Sequence, residues 1–170
     1  MENADDTDGT LEPWSSGAEA RAALTDPETR LPNRLHFDVV YEVAFTAATR
    51  GLPITILLLD VPALNGATGD EILALVRHLT AVTRRMDLLA RVDRTVLGIL
   101  LLDSNVHGGR LAVERILGSL DPWLRHHDTE VKVGIASFLE GMEEPPELVE
   151  QAWRALGRAR DGEGDRVEIA

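Results

Sequence analysis

The stretch R-R-M-D-L-L-A-R-V-D-R-T-V-L-G-I-L-L-L, Arg84 to Leu102, decides the fold. Its first residues close an amphipathic helix that ends near Asp87. Leu88 to Val92 then reads as a strand, Asp93-Arg94 as a tight turn, and Thr95 to Leu102 as a second strand running back beside the first. Two short apolar runs with a two-residue polar break are the pattern of a β-hairpin. The flanking segments have to supply a floor for it.

Upstream, Thr68 with Glu71 three residues on forms a capping-box signal. Ile72, Leu75, Val76, Leu79 and Val82 keep helical spacing through to Arg85. Before that helix, I-T-I-L-L-L, Ile54 to Leu59, is a continuous apolar run ending at Asp60, with the length and β-branching of a buried central strand. Asp60 has two readings here: an oxygen ligand for Mg²⁺, or a cap for the turn V-P-A-L-N-G. A helix over about Pro32 to Arg50 precedes the strand. Asn33 or Thr29 caps it, Leu35, Val39, Val40, Val43 and Ala47 form its apolar stripe, and Gly51 and Pro53 stop it.

Downstream, Asp103 or Ser104 is expected to cap a helix with the stripe Val106, Leu111, Ile116, Leu117 and Leu120, which Pro122 ends. Trp123 to Glu130 then reads as an irregular polar loop. His126 and His127 lie in it with no further ligand at metal-site spacing nearby. Val131 to Phe138 reads as a strand, and Gly134 within it marks a bulge or a close backbone approach. Pro145 and Pro146 introduce a helix over Glu147 to Arg160, with Leu148, Ala152, Leu156 and Ala159 on one face. Arg166 to Ile169 is a short terminal strand.

The order helix, strand, helix, hairpin, helix, strand, helix, strand predicts an α/β protein of the α+β sandwich kind. The expected architecture is ferredoxin-like, with a central, mainly antiparallel sheet flanked by helices. Residues 1–23 read as an acidic, disordered tail and 24–170 as one domain. Trp14 with Leu11 is the one pair in the tail suited to docking.

Composition narrows the function classes. The 170 residues include no cysteine, which excludes disulfides and thiolate metal sites. No apolar run reaches the roughly 18–20 residues that span a membrane, and the acidic N-terminus is unlike a signal peptide, so a cytoplasmic location is expected. A formal net charge of −12 argues against nucleic acid and anionic membranes as partners.

Several motifs recur in a familiar order: D-P-E-T-R-L-P-N-R (Asp26 to Arg34), I-L-L-L-D ending at Asp60, G-D-E-I-L (Gly69 to Leu73), D-L-L-A-R (Asp87 to Arg91), V-K-V-G-I-A (Val131 to Ala136) and A-L-G-R-A-R (Ala155 to Arg160). Together they resemble a GGDEF domain, the diguanylate cyclase family that makes the bacterial second messenger cyclic di-GMP. The resemblance runs from about Leu24 to Ile169 and implies the nucleotide-cyclase-like fold of that family.

The same alignment exposes departures. The signature turn falls on Asp93-Arg94-Thr95-Val96-Leu97, so both glycines are replaced, as is the metal-binding Glu, by Val96. The second strand-end Asp is Pro62, which leaves Asp60 vestigial among the implied metal positions. Leu64-Asn65-Gly66-Ala67 stands in for a longer guanine-reading segment. Arg160 aligns with a triphosphate-contacting Lys, and Gly164 with a later Arg. These departures lead to the expectation of no functional Mg²⁺ site, no catalytic residues and no enzyme activity.

One implied element is intact. Arg84-Arg85-Met86-Asp87 matches the family's inhibitory R-x-x-D site at its register before the turn, which implies cyclic di-GMP binding through Arg84 and Asp87. Arg85 and Arg91 would offset the ligand's phosphates. The expected role is a cyclic di-GMP receptor acting on a signalling protein partner, with a homodimer left open. The alternative is an interaction module that works without nucleotide.

Overall fold

The structure, a computed structural model, describes residues 17–162 and 166–170. Most of the acidic tail, with Leu11 and Trp14, lies outside the described residues. The central strand β1, Ile54–Asp60, is buried along its whole length. It pairs antiparallel with β3, Val96–Leu102, on one side and with β4, Lys132–Ser137, on the other. Beyond β3 lies β2, Leu88–Arg91, also antiparallel, and beyond β4 lies β5, Val167–Ile169, which is parallel to it. The sheet order is therefore β2-β3-β1-β4-β5, the mainly antiparallel arrangement read from the sequence.

Strand alternation sends side chains to two cores. Leu57, Leu59, Leu97, Ile99, Val133 and Ile135 face helices α3, Gly69–Val82, and α4, Val106–His126. Ile54, Ile56, Leu58, Leu100 and Ala136 face helices α2, Arg34–Ala48, and α5, Pro145–Asp161. A short helix α1, Gly17–Ala23, leads in.

Local chemistry accounts for the helix starts. Thr68 and Glu71 form the capping box expected of them. Asn33 caps α2 through Oδ1, which accepts from the His36 N–H, and its Nδ2 donates to the Ala23 carbonyl. In α5 the Glu147 carboxylate accepts from the N–H groups of Glu143 and Glu144, and these hold its pKa below the ordinary value. For α4 the cap is Asn105, not Asp103 or Ser104, with Oδ1 accepting from the Gly108 N–H.

Four expectations are corrected. Most of the stripe assigned to α2 points outward: Leu35, Val39 and Val43 are 57, 54 and 70% exposed, while Val40 packs at the edge of the core. The buried face is Phe37, Tyr41, Ala44, Phe45 and Ala48. Aromatic rings remove more apolar area from water than aliphatic side chains at the same spacing. Phe45 meets Phe138 edge-to-face at 5.3 Å between centroids, and the Tyr41 hydroxyl donates to the Pro145 carbonyl. Burial, reinforced by the Glu147 carboxylate, pushes the Tyr41 phenol well above its ordinary pKa. Likewise Val106 and Leu111, expected on the inner face of α4, are exposed.

Pro122 lies inside α4 instead of ending it. The residue four before it is Gly118, which is exposed, so the carbonyl that loses its donor can turn to water. The helix also ends earlier than expected before the hairpin: α3 stops at Val82, with Thr83 as its C-cap.

Gly134 proves to be a close approach. A Cβ there would lie 2.5 Å from the Ala152 carbonyl oxygen and 2.5 Å from the Leu156 nitrogen, both backbone atoms of α5. Gly134→Ala is expected to cost at least about 1–3 kcal/mol, because strand and helix backbones must separate. Gly118→Ala, which adds a methyl into open space on a helix, should gain about 0.5–1 kcal/mol. Urea unfolding midpoints of the two variants check both signs.

Candidate functional site

The two ends of the hairpin carry different chemistry. At the turn, Val92 and Val96 face each other and the loop between them is Asp93-Arg94-Thr95. It is one residue longer than the break read from the sequence. The Val96 N–H closes it onto the Asp93 carbonyl at 3.3 Å. None of its residues has a positive φ, so the turn closes without glycine. Arg94 reaches back over the shortened β1–α3 connection, its guanidinium donating to Asn65 Oδ1 at 2.6 Å.

Beneath the turn, Asp60 ends β1 with 8% exposure. Its Oδ1 accepts from the Thr95 hydroxyl at 2.6 Å, and its Oδ2 accepts from Arg160 Nε at 2.8 Å. A Mg²⁺ ion takes near-octahedral oxygen ligation. Here Asp60 is the one carboxylate among Asp60, Pro62, Thr95 and Val96. Both its oxygens already accept hydrogen bonds, and a guanidinium sits where a cation would. The donor set does not fit a divalent ion.

The opening loop closes over the same end. Asp26 Oδ1 accepts from the backbone N–H and hydroxyl of Thr29, both at 2.7 Å, and from the Arg91 guanidinium at 3.3 Å. Burial draws the Asp26 pKa upward, but these donors outweigh it and hold the carboxyl below its ordinary range. Arg30 adopts φ 60°, the left-handed conformation that suits glycine. A cleft of about 400 Å³ lies between this loop and the turn, lined by Asp26, Glu28, Asn33, Arg34, Asp93 and Arg94.

Arg91 is therefore not a free cation. It pairs with Asp26 and Glu28, donates to the Arg94 carbonyl, and its side chain is 9% exposed. The role of offsetting ligand phosphates, read from the sequence, is corrected: its charge is neutralised internally.

At the other end of the hairpin, Arg84 to Asp87 form a tight turn between α3 and β2, not the last turn of a helix. The Asp87 N–H donates to the Arg84 carbonyl at 3.1 Å. Asp87 Oδ2 accepts from the Arg84 N–H at 3.3 Å, and Oδ1 accepts from the Leu102 N–H at 3.2 Å. Arg84, Arg85 and Met86 are exposed. The structure thus brings Arg84, Arg85 and Asp87 together and leaves Arg91 at the far end of β2. The Asp60–Arg160 pair was not foreseen, because its partners stand 100 residues apart and no local pattern links them.

Known proteins agree with this architecture. The sequence matches the family described as diguanylate cyclase, GGDEF domain, over residues 23–166, and the chain belongs to that family. It is 29% identical over 162 residues to the diguanylate cyclase DgcP of Pseudomonas aeruginosa, covering 87% of this chain but 24% of that protein. The chain thus spans about a quarter of this curated relative. A microbial GGDEF domain, solved in what is described as a novel interaction mode with cyclic di-GMP, superposes with TM-score 0.77 at 24% identity, covering 89% of this chain and 99% of that one. The diguanylate cyclase SiaD of Pseudomonas aeruginosa, solved with its activator SiaC, superposes with TM-score 0.74 at 21% identity, covering 91% and 65%. These findings correct the expectation of a non-enzyme: the family and its curated relative are diguanylate cyclases. Among the described residues, no helix is long and apolar enough to cross a membrane.

Two variants test the charge networks. Arg160→Met leaves one oxygen of a largely buried carboxylate without its donor and should cost about 1–3 kcal/mol in urea unfolding. Asp26 has a folded pKa below its unfolded value near 4, so its contribution is complete above that value and is lost as the pH falls through the folded one. Asp26→Asn should therefore lower the thermal midpoint at pH 7 and flatten its fall below about pH 4.

Proposed function

We propose that this GGDEF domain works in cyclic di-GMP signalling, binding the dinucleotide at the Arg84–Asp87 turn and passing the bound state to a protein partner. The observation that carries the reading is the exposed Arg84-Arg85 pair beside Asp87, whose carboxylate is fixed by two backbone N–H groups. A guanidinium can pair with the O6/N7 edge of guanine, and a carboxylate with spare lone pairs can accept from the base's N–H groups. Two arginines also supply the positive charge that two phosphates require on a chain of net charge −12. The GGDEF structures described with cyclic di-GMP and with an activator protein support both halves of the reading. Self-association, with a second copy completing the ligand shell, belongs to the same proposal. No divalent cation at Asp60 takes part in it.

A second reading, an interaction module that works without nucleotide, has the exposed Leu35, Val39 and Val43 of α2 behind it.

Titration calorimetry with cyclic di-GMP in GTP-free buffer separates the two. The first reading expects saturable heat from the wild-type chain and at least about tenfold weaker binding by Arg84→Ala, an exposed position whose loss leaves the fold intact. Silence of the wild-type chain up to about 1 mM ligand, or equal binding by the variant, would sink it in favour of the second.

A further inference from the structure

At the end of α3 away from the proposed ligand turn, its first turn meets the last residues of α4. His126 and His127, read from the sequence as part of a polar loop, close α4 as its last residue and its C-cap. Across from them stands Glu71, in the first turn of α3. One ligating atom from each of Glu71, His126 and His127 falls within 4.8 Å of the others. His127 Nδ1 and Glu71 Oε1 are 4.0 Å apart.

Two of the three ligands are already oriented. Glu71 Oε2 accepts from the backbone N–H and hydroxyl of Thr68, at 2.6 and 2.8 Å, which leaves Oε1 to face the imidazoles. The His127 ring lies against the Trp123 indole at 4.0 Å between centroids, and the His126 ring meets it edge-on at 5.0 Å. The Trp123 indole N–H donates to the Glu71 carbonyl at 3.0 Å, pinning the end of α4 to the start of α3. Negative partial charge at a helix C-terminus favours a cation there.

We infer that Glu71, His126 and His127 form a transition-metal site suited to Zn²⁺. Two imidazoles and a carboxylate are a ligand set zinc takes in open sites, with water in the remaining position. Zn–N and Zn–O bonds near 2.1 Å put tetrahedral ligand atoms about 3.4 Å apart, so small side-chain rotations close the trio onto an ion. Magnesium and calcium are excluded as occupants by their preference for oxygen. The site shares no residue with Asp60 or with the Arg84–Asp87 turn.

The test is zinc chloride titrated into the full chain, tag-free and pretreated with chelator, followed by calorimetry and by thermal unfolding. The expected result is one zinc per chain and a thermal midpoint that rises with zinc. His126→Ala and His127→Gln should each weaken binding at least about tenfold, while His107→Ala on the exposed start of α4 leaves it unchanged. Circular dichroism of the metal-free variants checks folding. Should His127→Gln unfold, the exposed His126 decides the matter alone. No binding by the wild-type chain up to about 1 mM zinc overturns the assignment. Undiminished binding in His126→Ala does the same, since it reduces the cluster to a His127–Glu71 pair.

Discussion

A carboxylate at the end of a strand buried on both faces has to be given donors, and meeting that demand at Asp60 ties this molecule together. β1 is apolar from Ile56 to Leu59 and polar at Thr55 and Asp60. The Thr55 hydroxyl donates to the Ser104 carbonyl and shares a hydrogen bond with Ser137. Asp60 is met by Thr95 from the hairpin and by Arg160 from the last turns of α5. Leaving either end unpaired would cost the desolvation of a polar group in a nearly dry layer. The start of β3 and the end of α5 are therefore fixed to the same strand terminus.

A second network does similar work one layer out. Arg91 gathers Asp26, Glu28 and the Arg94 carbonyl, and its own N–H donates to the Pro32 carbonyl. The opening loop is thus bound to the hairpin by charge and backbone together. Positive charge near the hairpin turn is spent within the fold, through Arg91, Arg94 and Arg160. At the opposite end of β2, Arg84 and Arg85 stay in solvent. This division ties one end of the hairpin into the fold and leaves the other open to the ligand proposed for it.

The sequence was legible where the signal was local. The hairpin, the buried run Ile54 to Leu59, the Thr68 capping box and the glycine of β4 each carry their pattern within a few residues. The α2 face was not legible, because two stripes at helical spacing interleave and ring packing chose between them. Pro122 misled because its effect depends on whether the carbonyl four residues earlier can reach water. In the candidate sites, the Arg84–Asp87 pairing could be read from spacing. The pairs Asp60–Arg160 and Glu71–His127 join residues far apart in the chain, which periodicity does not encode. The reading of a non-enzyme weighed individual missing residues, while the match over residues 23–166 shows membership of a family whose description is diguanylate cyclase, GGDEF domain.

The notch at Gly134 has a mechanical consequence. With no side chain there, the backbone of α5 rests on β4 around Ala152 and Leu156, and flanking residues leave it one axial setting. Sliding of α5 along the sheet would drive a peptide group into the side chain of Lys132 or Ala136, the neighbours of Gly134 on that face of β4. Arg160, carried two turns further on, can leave Asp60 only by swivelling about its own bonds, over a helix that stays put.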